Sequence, residues 1–223
     1  MNLSIAKHLF IAVILGWSLQ VGASTVSDPA ADYLAGYSGS MAGDLDVISA
    51  LVTYNPATDI FHFESTFAGS IGGSPSGFYI WGFDRGAGTG RFEADGLPNV
   101  LFDAVVRFNF DGSGAVNLLV PTASSTSFGK GTAVIQGNQL VADLAGDLLP
   151  SSADGVAKTA YTWNLWPRDG ALPAGFGQIS DFAPDTNNAA VQVVPLPAAF
   201  WLFGTMVGFA FFNGTQRMGC GRH

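Results

Sequence analysis

Cysteine is nearly absent from this chain of 223 residues, and its only thiol belongs to Cys220 near the C-terminus. The chain cannot form an internal disulfide, so core burial alone has to stabilise the fold. Histidine is also rare, and His62 is the only one outside the two terminal segments. Without a second histidine or a G-x-S-x-G sequence, the chain lacks the residues of a serine-hydrolase triad or a histidine-rich zinc site. We therefore expect neither an enzyme nor a bound cofactor.

Positive charge is scarce as well. Residues 24–190 contain all 17 acidic residues but only six of the 9 lysines and arginines, which leaves a net charge of −11. So acidic a body disfavours nucleic acid and anionic lipid as partners, and we interpret it mainly as a solvated exterior. Calcium is an alternative partner, because Asp111–Gly114 and Asp181–Asn188 offer oxygen ligands, although neither has the spaced acids of an EF-hand.

A short apolar segment near the N-terminus, Leu9–Trp17, follows one firm positive charge at Lys7. A spanning helix needs about 20 apolar residues, so this segment is too short to cross a bilayer. A charged start, a short apolar run and small residues after it are the parts of a secretory signal peptide. The small residues Val21 and Ala23 predict cleavage after Ala23, which makes residues 1–23 the signal peptide. An uncleaved N-terminal anchor is the alternative.

A second apolar stretch, Ala198–Phe212, carries no charge and lies near the C-terminus. As a helix it reaches about 22 Å at ~1.5 Å per residue, so it needs flanking residues to span a hydrocarbon core of about 30 Å. Arg217 and Arg222 follow it without an acid nearby. Because basic residues stay on the cytoplasmic side, we predict a transmembrane helix with the tail inside the cell and the body outside.

The residues before this stretch form a specific pattern: Val194, Pro195, Leu196 and Pro197, followed by Ala198–Gly204. The run resembles the VPLPA form of the PEP-CTERM sorting signal, in which a proline motif, a transmembrane helix and a basic end follow one another. The resemblance covers only residues 191–223. It implies a Gram-negative host that makes exopolysaccharide, and processing by an exosortase, a membrane-embedded cysteine transpeptidase. The family's dense arginine cluster is replaced here by Asn213–Gln216 before the first arginine.

Between the two ends, residues 24–190 alternate apolar and polar side chains and show little helical periodicity. The pattern predicts one all-β ectodomain, an antiparallel β-sandwich of jelly-roll-like type. Two hairpins are expected, one around Asn55–Asp59 and one around the two-residue loop Gly137-Asn138. The predicted strands are Leu45–Tyr54, Ile60–Phe67, Phe78–Phe83, Arg91–Glu93, Val100–Phe110, Ala115–Val120, Thr132–Gln136, Gln139–Leu144 and Tyr161–Trp166.

Aromatic side chains on two of these strands are the candidate glycan contacts. Tyr79 and Trp81 share one face of their strand, and Tyr161 and Trp163 share one face of theirs, because side chains alternate along a strand. An exposed row of such rings stacks on sugar rings. The alternative is core filling, since large aromatic residues dominate protein cores.

Charged residues inside the ectodomain suggest other sites. His62 is a candidate general base, but its place between two phenylalanines favours a solvent-facing strand residue. Three neighbouring pairs of opposite charge are interpreted as structural ion pairs, because surface pairs contribute little to stability. These pairs are Asp84 with Arg85, Asp103 with Arg107, and Asp169 with Arg168.

These patterns together predict an exported protein that is first anchored in the inner membrane and then reaches the cell surface or extracellular matrix. Its expected role is structural or adhesive, with an exosortase as its processing partner. The alternative is a carbohydrate-binding module that interacts with the exopolysaccharide. A glycoside-processing enzyme with paired carboxylates comes third. An exposed aromatic row favours the sugar binder, and two converging acids in a cleft favour the enzyme.

Overall fold

The computed structural model describes residues 24–194. The predicted signal peptide and the predicted transmembrane helix therefore lie outside the described residues, and none of the described helices is long and apolar enough to cross a bilayer. The strands are β1 (Val26–Ser27), β2 (Val47–Asn55), β3 (Ile60–Phe67), β4 (Gly77–Asp84), β5 (Thr89–Phe92), β6 (Leu97–Phe102), β7 (Ala104–Asn109), β8 (Gly114–Leu118), β9 (Ser124–Phe128), β10 (Ala133–Gln136), β11 (Gln139–Ala145), β12 (Thr162–Asp169), β13 (Ala189–Ala190) and β14 (Gln192–Val193). Short 3₁₀ helices span Glu93–Asp95, Gly146–Leu148, Lys158–Ala160 and Phe176–Gln178.

These strands form two six-stranded sheets and one two-stranded ribbon. The first sheet has the order β1-β2-β3-β11-β10, with β14 paired in parallel to β2. The second has the order β13-β12-β4-β7-β8-β9, and the ribbon joins β5 to β6. All the other strand pairs are antiparallel, so the all-β antiparallel prediction is confirmed, and the arrangement is consistent with a β-sandwich.

Both predicted hairpins are present. The first joins β2 to β3, with Asn55 opposite Ile60, and the second joins β10 to β11 through Gly137-Asn138. Gly137 has a φ of 61°, a conformation that glycine adopts without the steric penalty of a Cβ. Six pairs of consecutive strands lie side by side in the two six-stranded sheets, namely β1–β2, β2–β3, β7–β8, β8–β9, β10–β11 and β12–β13. This connectivity does not support the more specific prediction of a jelly roll, because successive strands of a jelly roll mostly alternate between the two sheets.

The two sheets share one hydrophobic core. Phe63 on β3 meets Trp81, Phe83 and Phe108 on the second sheet edge-to-face, with ring centroids 5.4, 5.7 and 5.6 Å apart. All four side chains are completely buried. Aromatic pairs in this geometry are worth about 0.5–1.5 kcal/mol each beyond their area burial. The alternation of apolar and polar residues along β3 places its apolar face against the inward-facing aromatic residues of the second sheet.

A second, smaller cluster covers the outer face of the second sheet. Ile80 and Trp166 point away from the shared core and pack against residues of β6 and the segment Ile179–Phe182. Gly82 allows the Trp166 ring to lie flat on β4, because a Cβ at position 82 would come within 2.1 Å of that ring. β4 and β12 are therefore buried on both faces, which explains why β4 is a continuous apolar run.

The structure differs from the predicted strands and domain boundary in several places. The single predicted strand Val100–Phe110 is broken at Asp103, so that β6 belongs to the ribbon and β7 to the second sheet. The serine-rich strand β9 was not predicted, because its residues are mostly exposed and show no apolar alternation. The folded body also continues past 190: the N–H of Val191 donates to the carbonyl of Tyr161 at 2.9 Å, and β14 pairs with β2.

Asp103, which separates β6 from β7, belongs to a buried ion pair. The Arg85 Nε donates to Asp103 Oδ1 at 2.8 Å, and both side chains have no exposed surface. The two terminal nitrogens of Arg85 donate to the carbonyls of Pro150 and Val120 at 2.5 and 2.6 Å. Asp103 Oδ2 accepts from the N–H of Ala87 at 3.0 Å. The predicted partners were Asp84 for Arg85 and Arg107 for Asp103. The observed ion pair instead joins the residue between β6 and β7 to the residue that follows β4.

Candidate metal centre

The four aromatic residues proposed to contact glycans lie in the core. Tyr79, Trp81, Tyr161 and Trp163 are 1, 0, 1 and 1% exposed. Trp81 and Trp163 pack on each other with ring centroids 5.0 Å apart. Tyr79 and Trp81 do share a face of β4, whereas Tyr161 precedes β12, and all four side chains point inward, so the glycan-contact hypothesis is wrong for these residues. These side chains lie in the core because a large aromatic ring removes more apolar area from water on burial than a small side chain does.

Most of the sorting signal lies outside the described residues. Of the proposed motif only Val194 is described, and its N–H donates to the carbonyl of Tyr54 at 3.0 Å. Pro195, Leu196 and Pro197 lie beyond it, as do Arg217 and Arg222. Their proposed roles stay predictions from sequence.

His62 lies on the outer face of the first sheet, as predicted for a solvent-facing strand residue. Its Nδ1 is 2.6 Å from Asp143 Oδ1 and its Nε2 is 2.9 Å from Glu64 Oε1. Partial burial lowers the pKa of His62, but these two hydrogen bonds and the carboxylate charges outweigh it, so the net pKa is raised above 6.5. The imidazole ring is therefore held between two carboxylates, Asp143 and Glu64.

The raised pKa of His62 predicts a pH dependence of stability. A histidine whose folded pKa is raised stabilises the protein fully below the unfolded pKa, and this contribution is lost as pH rises through the folded pKa. We expect the wild-type melting temperature to fall more steeply than that of His62→Gln between about pH 6 and pH 9. Melting curves across this range test the difference between the two proteins, and parallel curves contradict it.

The first candidate calcium loop is a hydrogen-bonded turn. Asp111 Oδ1 accepts from the Ser113 hydroxyl and from the Ser113 N–H, at 2.5 and 3.0 Å, and Asp111 Oδ2 lies 3.2 Å from the Lys130 Nζ. The hydrogen bonds from Ser113 and the lysine lower the pKa of Asp111 to about 2. The carboxylate is thus neutralised within the protein, and the loop offers no set of converging acids.

The second candidate loop contributes to a cluster of four carboxylates. Asp181 and Asp185 lie beside Asp28 and Asp32, which come from the segment before β2. One oxygen of each carboxylate lies within 4.8 Å of one oxygen of every other. Asp181 is buried and Asp28 half-buried, while Asp32 and Asp185 are exposed. We call these four residues the acid cluster.

Backbone hydrogen bonds fix the buried member of the acid cluster. The N–H of Val47, at the start of β2, donates to Asp181 Oδ2 at 2.8 Å, and the N–H of Phe182 donates to Asp181 Oδ1 at 2.7 Å. The N–H of Leu34 donates to the carbonyl of Ser180 at 2.8 Å. This bond holds the segment before β2 against the residue that precedes Asp181. These hydrogen bonds bring together the segment before β2 and the segment around Asp181, which come from opposite ends of the ectodomain.

The acid cluster is electrostatically strained. Burial raises the pKa of Asp28, and the charges of Asp181, Asp185 and Asp32 raise it further. Burial also raises the pKa of Asp181, against the two backbone hydrogen bonds that lower it, and Asp32 and Asp46 add to the increase. None of the ion pairs formed within residues 24–194 includes a member of the acid cluster. The four carboxyl groups therefore lie together without a cationic partner from residues 24–194.

Sequence reasoning found only half of this site. Asp181 and Asp185 belong to the oxygen-rich segment considered for calcium, but Asp28 and Asp32 gave no local signal, because their partners lie at the other end of the chain. The feature that points to them is the pairing of the N-terminal segment with residue 180, which is a tertiary contact. Comparison of the chain with protein-family models, curated proteins and solved structures finds no match.

Proposed function

We propose that this chain is an exported protein of the cell surface or extracellular matrix, processed by an exosortase-type transpeptidase, with a structural or adhesive role. Its precursor is held in the inner membrane by the segment Ala198–Phe212, with Arg217 and Arg222 in the cytoplasm. The support comes from the order of the sequence: a signal-peptide-like start, an all-β body, the VPLPA run and a basic end.

The observation that carries this proposal is the junction between the body and the VPLPA run. The N–H of Val194, the first residue of that run, donates to the carbonyl of Tyr54 on β2 at 3.0 Å. Pro195 and Pro197 have no N–H and cannot donate such a bond themselves. The candidate recognition sequence thus follows the folded body directly along the chain, where a transpeptidase would have to engage it.

A non-catalytic role also suits the described surface. The largest side chains pack in the core, and His62 is held between two acids. A surface depression at the β10–β11 hairpin is lined by Val134, Gln136, Gln139 and Val141, none of which titrates. The alternative of a carbohydrate-binding module loses its proposed aromatic contacts, and a glycan array with the exported protein tests it directly.

Replacing both motif prolines tests the sorting proposal. We expect Pro195→Ala with Pro197→Ala to leave membrane insertion unchanged but to reduce exosortase-dependent release, because alanine restores two N–H groups and relaxes the extended backbone. The measurement is fractionation of tagged protein from hosts with and without the exosortase. The matched control is Pro56→Ala with Pro173→Ala, two exposed prolines of the body. Release of the motif variant at the wild-type rate contradicts the proposal, and so does equal slowing of the control.

A further inference from the structure

Three buried aspartates, Asp44, Asp103 and Asp169, have both carboxylate oxygens hydrogen-bonded. Both oxygens of Asp44 accept from Ser74, at 2.6 and 2.7 Å. Asp103 is paired with Arg85, and Asp169 accepts from Ser76 at 2.6 Å and from the Ser40 N–H at 3.0 Å. This is the usual state of a buried polar group, because an unsatisfied one costs about 1–3 kcal/mol.

The carboxylates at the acid cluster depart from this rule. Asp46 is 3% exposed, yet its Oδ1 has no hydrogen-bond partner among the described residues. Its other oxygen accepts from the N–H of Ala31, next to Asp32, at 2.8 Å, and its charge acts on Asp181. The Oδ2 of Asp28, inside the cluster, is also buried without a partner. Two buried carboxylate oxygens, one inside the acid cluster and one beside it, thus lack a hydrogen-bond partner among the described residues.

The separation of the oxygens fits one large divalent cation. Calcium binds oxygen at about 2.3–2.6 Å, so two ligands on opposite sides of one ion lie about 4.6–5.2 Å apart. The four carboxylate oxygens fall within 4.8 Å of one another, inside that limit. Calcium also tolerates six to eight oxygens in irregular geometry, which suits a site with two exposed members that leave room for water.

We propose that Asp28, Asp32, Asp181 and Asp185 form a calcium site, with Asp46 as a fifth acid beside it. The ion would neutralise the clustered charge and fasten the segment before β2 to residues 181–185. Since Val47 at the start of β2 is bonded to Asp181, binding would stabilise the edge of the first sheet that β14 also occupies. This proposal does not depend on sorting by an exosortase.

Calcium titration of the purified full chain in detergent, after treatment with chelator, tests the site. The test variant is Asp32→Asn with Asp185→Asn, since both side chains are exposed and their replacement leaves the core intact. We expect calcium to raise the melting temperature of the wild type, and calorimetry to show an affinity at least about tenfold weaker in the variant, because affinity follows the number of charged ligands. Magnesium should bind more weakly than calcium to the wild type.

The matched control is Asp95→Asn with Asp154→Asn, which removes the same charge from two exposed acids outside the acid cluster. This control should bind calcium as the wild type does. The site is overturned if calorimetry detects no calcium binding to the wild type, or if the control loses as much affinity as the test variant. Retained wild-type affinity in Asp32→Asn with Asp185→Asn overturns it as well.

Discussion

Asp103→Ala should destabilise the protein by about 3–5 kcal/mol, the range for removing one partner of a buried ion pair. Arg85 has no exposed surface, so its guanidinium would remain buried with only backbone carbonyls as acceptors. The Ser152 hydroxyl would lose its acceptor as well, and the Ala87 N–H would keep only Ser152 Oγ. Urea unfolding of the exported protein measures the change.

Two further variants separate the charge from the volume at this position. Asp95→Ala, at an exposed acid, should change stability by no more than about 0.5 kcal/mol. Arg85→Met with Asp103→Ala should be less destabilised than the sum of the two single variants, because the unpaired charge is then gone. A loss below about 1 kcal/mol in Asp103→Ala would show that water reaches Arg85 and that the pair is not buried.

Trp81→Ala should cost about 3–5 kcal/mol, because it empties a large volume between the two sheets. The Trp81 ring is in contact with Phe63 and Trp163, and the side chain is 0% exposed. Trp81→Phe should cost much less, since its ring retains most of the contacts and the indole N–H has no partner among the described residues. Thermal or urea unfolding measures both variants.

This prediction also distinguishes a core role from a glycan-binding role. Val134→Ala, at a residue 52% exposed on β10, is the control and should be nearly neutral. A core residue lowers stability when it is truncated, whereas an exposed stacking residue lowers glycan affinity with little change in stability. If Trp81→Ala unfolds like the wild type, the placement of this ring between the sheets is wrong.

The strands that sequence predicted well are those whose pattern is local. β2 is rich in Val, Ile and Leu, β3 alternates apolar and polar residues, and a turn containing Pro56 joins them, so their type and pairing follow from neighbours in sequence. The Gly137-Asn138 hairpin follows in the same way from turn chemistry. The predictions failed where a distant partner decided the outcome. Asp103 lies within an apolar run, and its partner there is the buried guanidinium of Arg85, 18 residues away in sequence.

By itself the sequence determined the fold class, the two hairpins and the acidic character of the body, because alternation, turn residues and charge are properties of short segments. It also supplies the export and sorting predictions, which rest on terminal sequences. Only the tertiary structure decided which face of β4 and β12 is inside, because alternation gives two faces without saying which one meets the other sheet. It alone brought Asp28 and Asp32 to Asp181 and Asp185, since carboxylates this close repel each other and come together only when the surrounding sheet holds both segments in place.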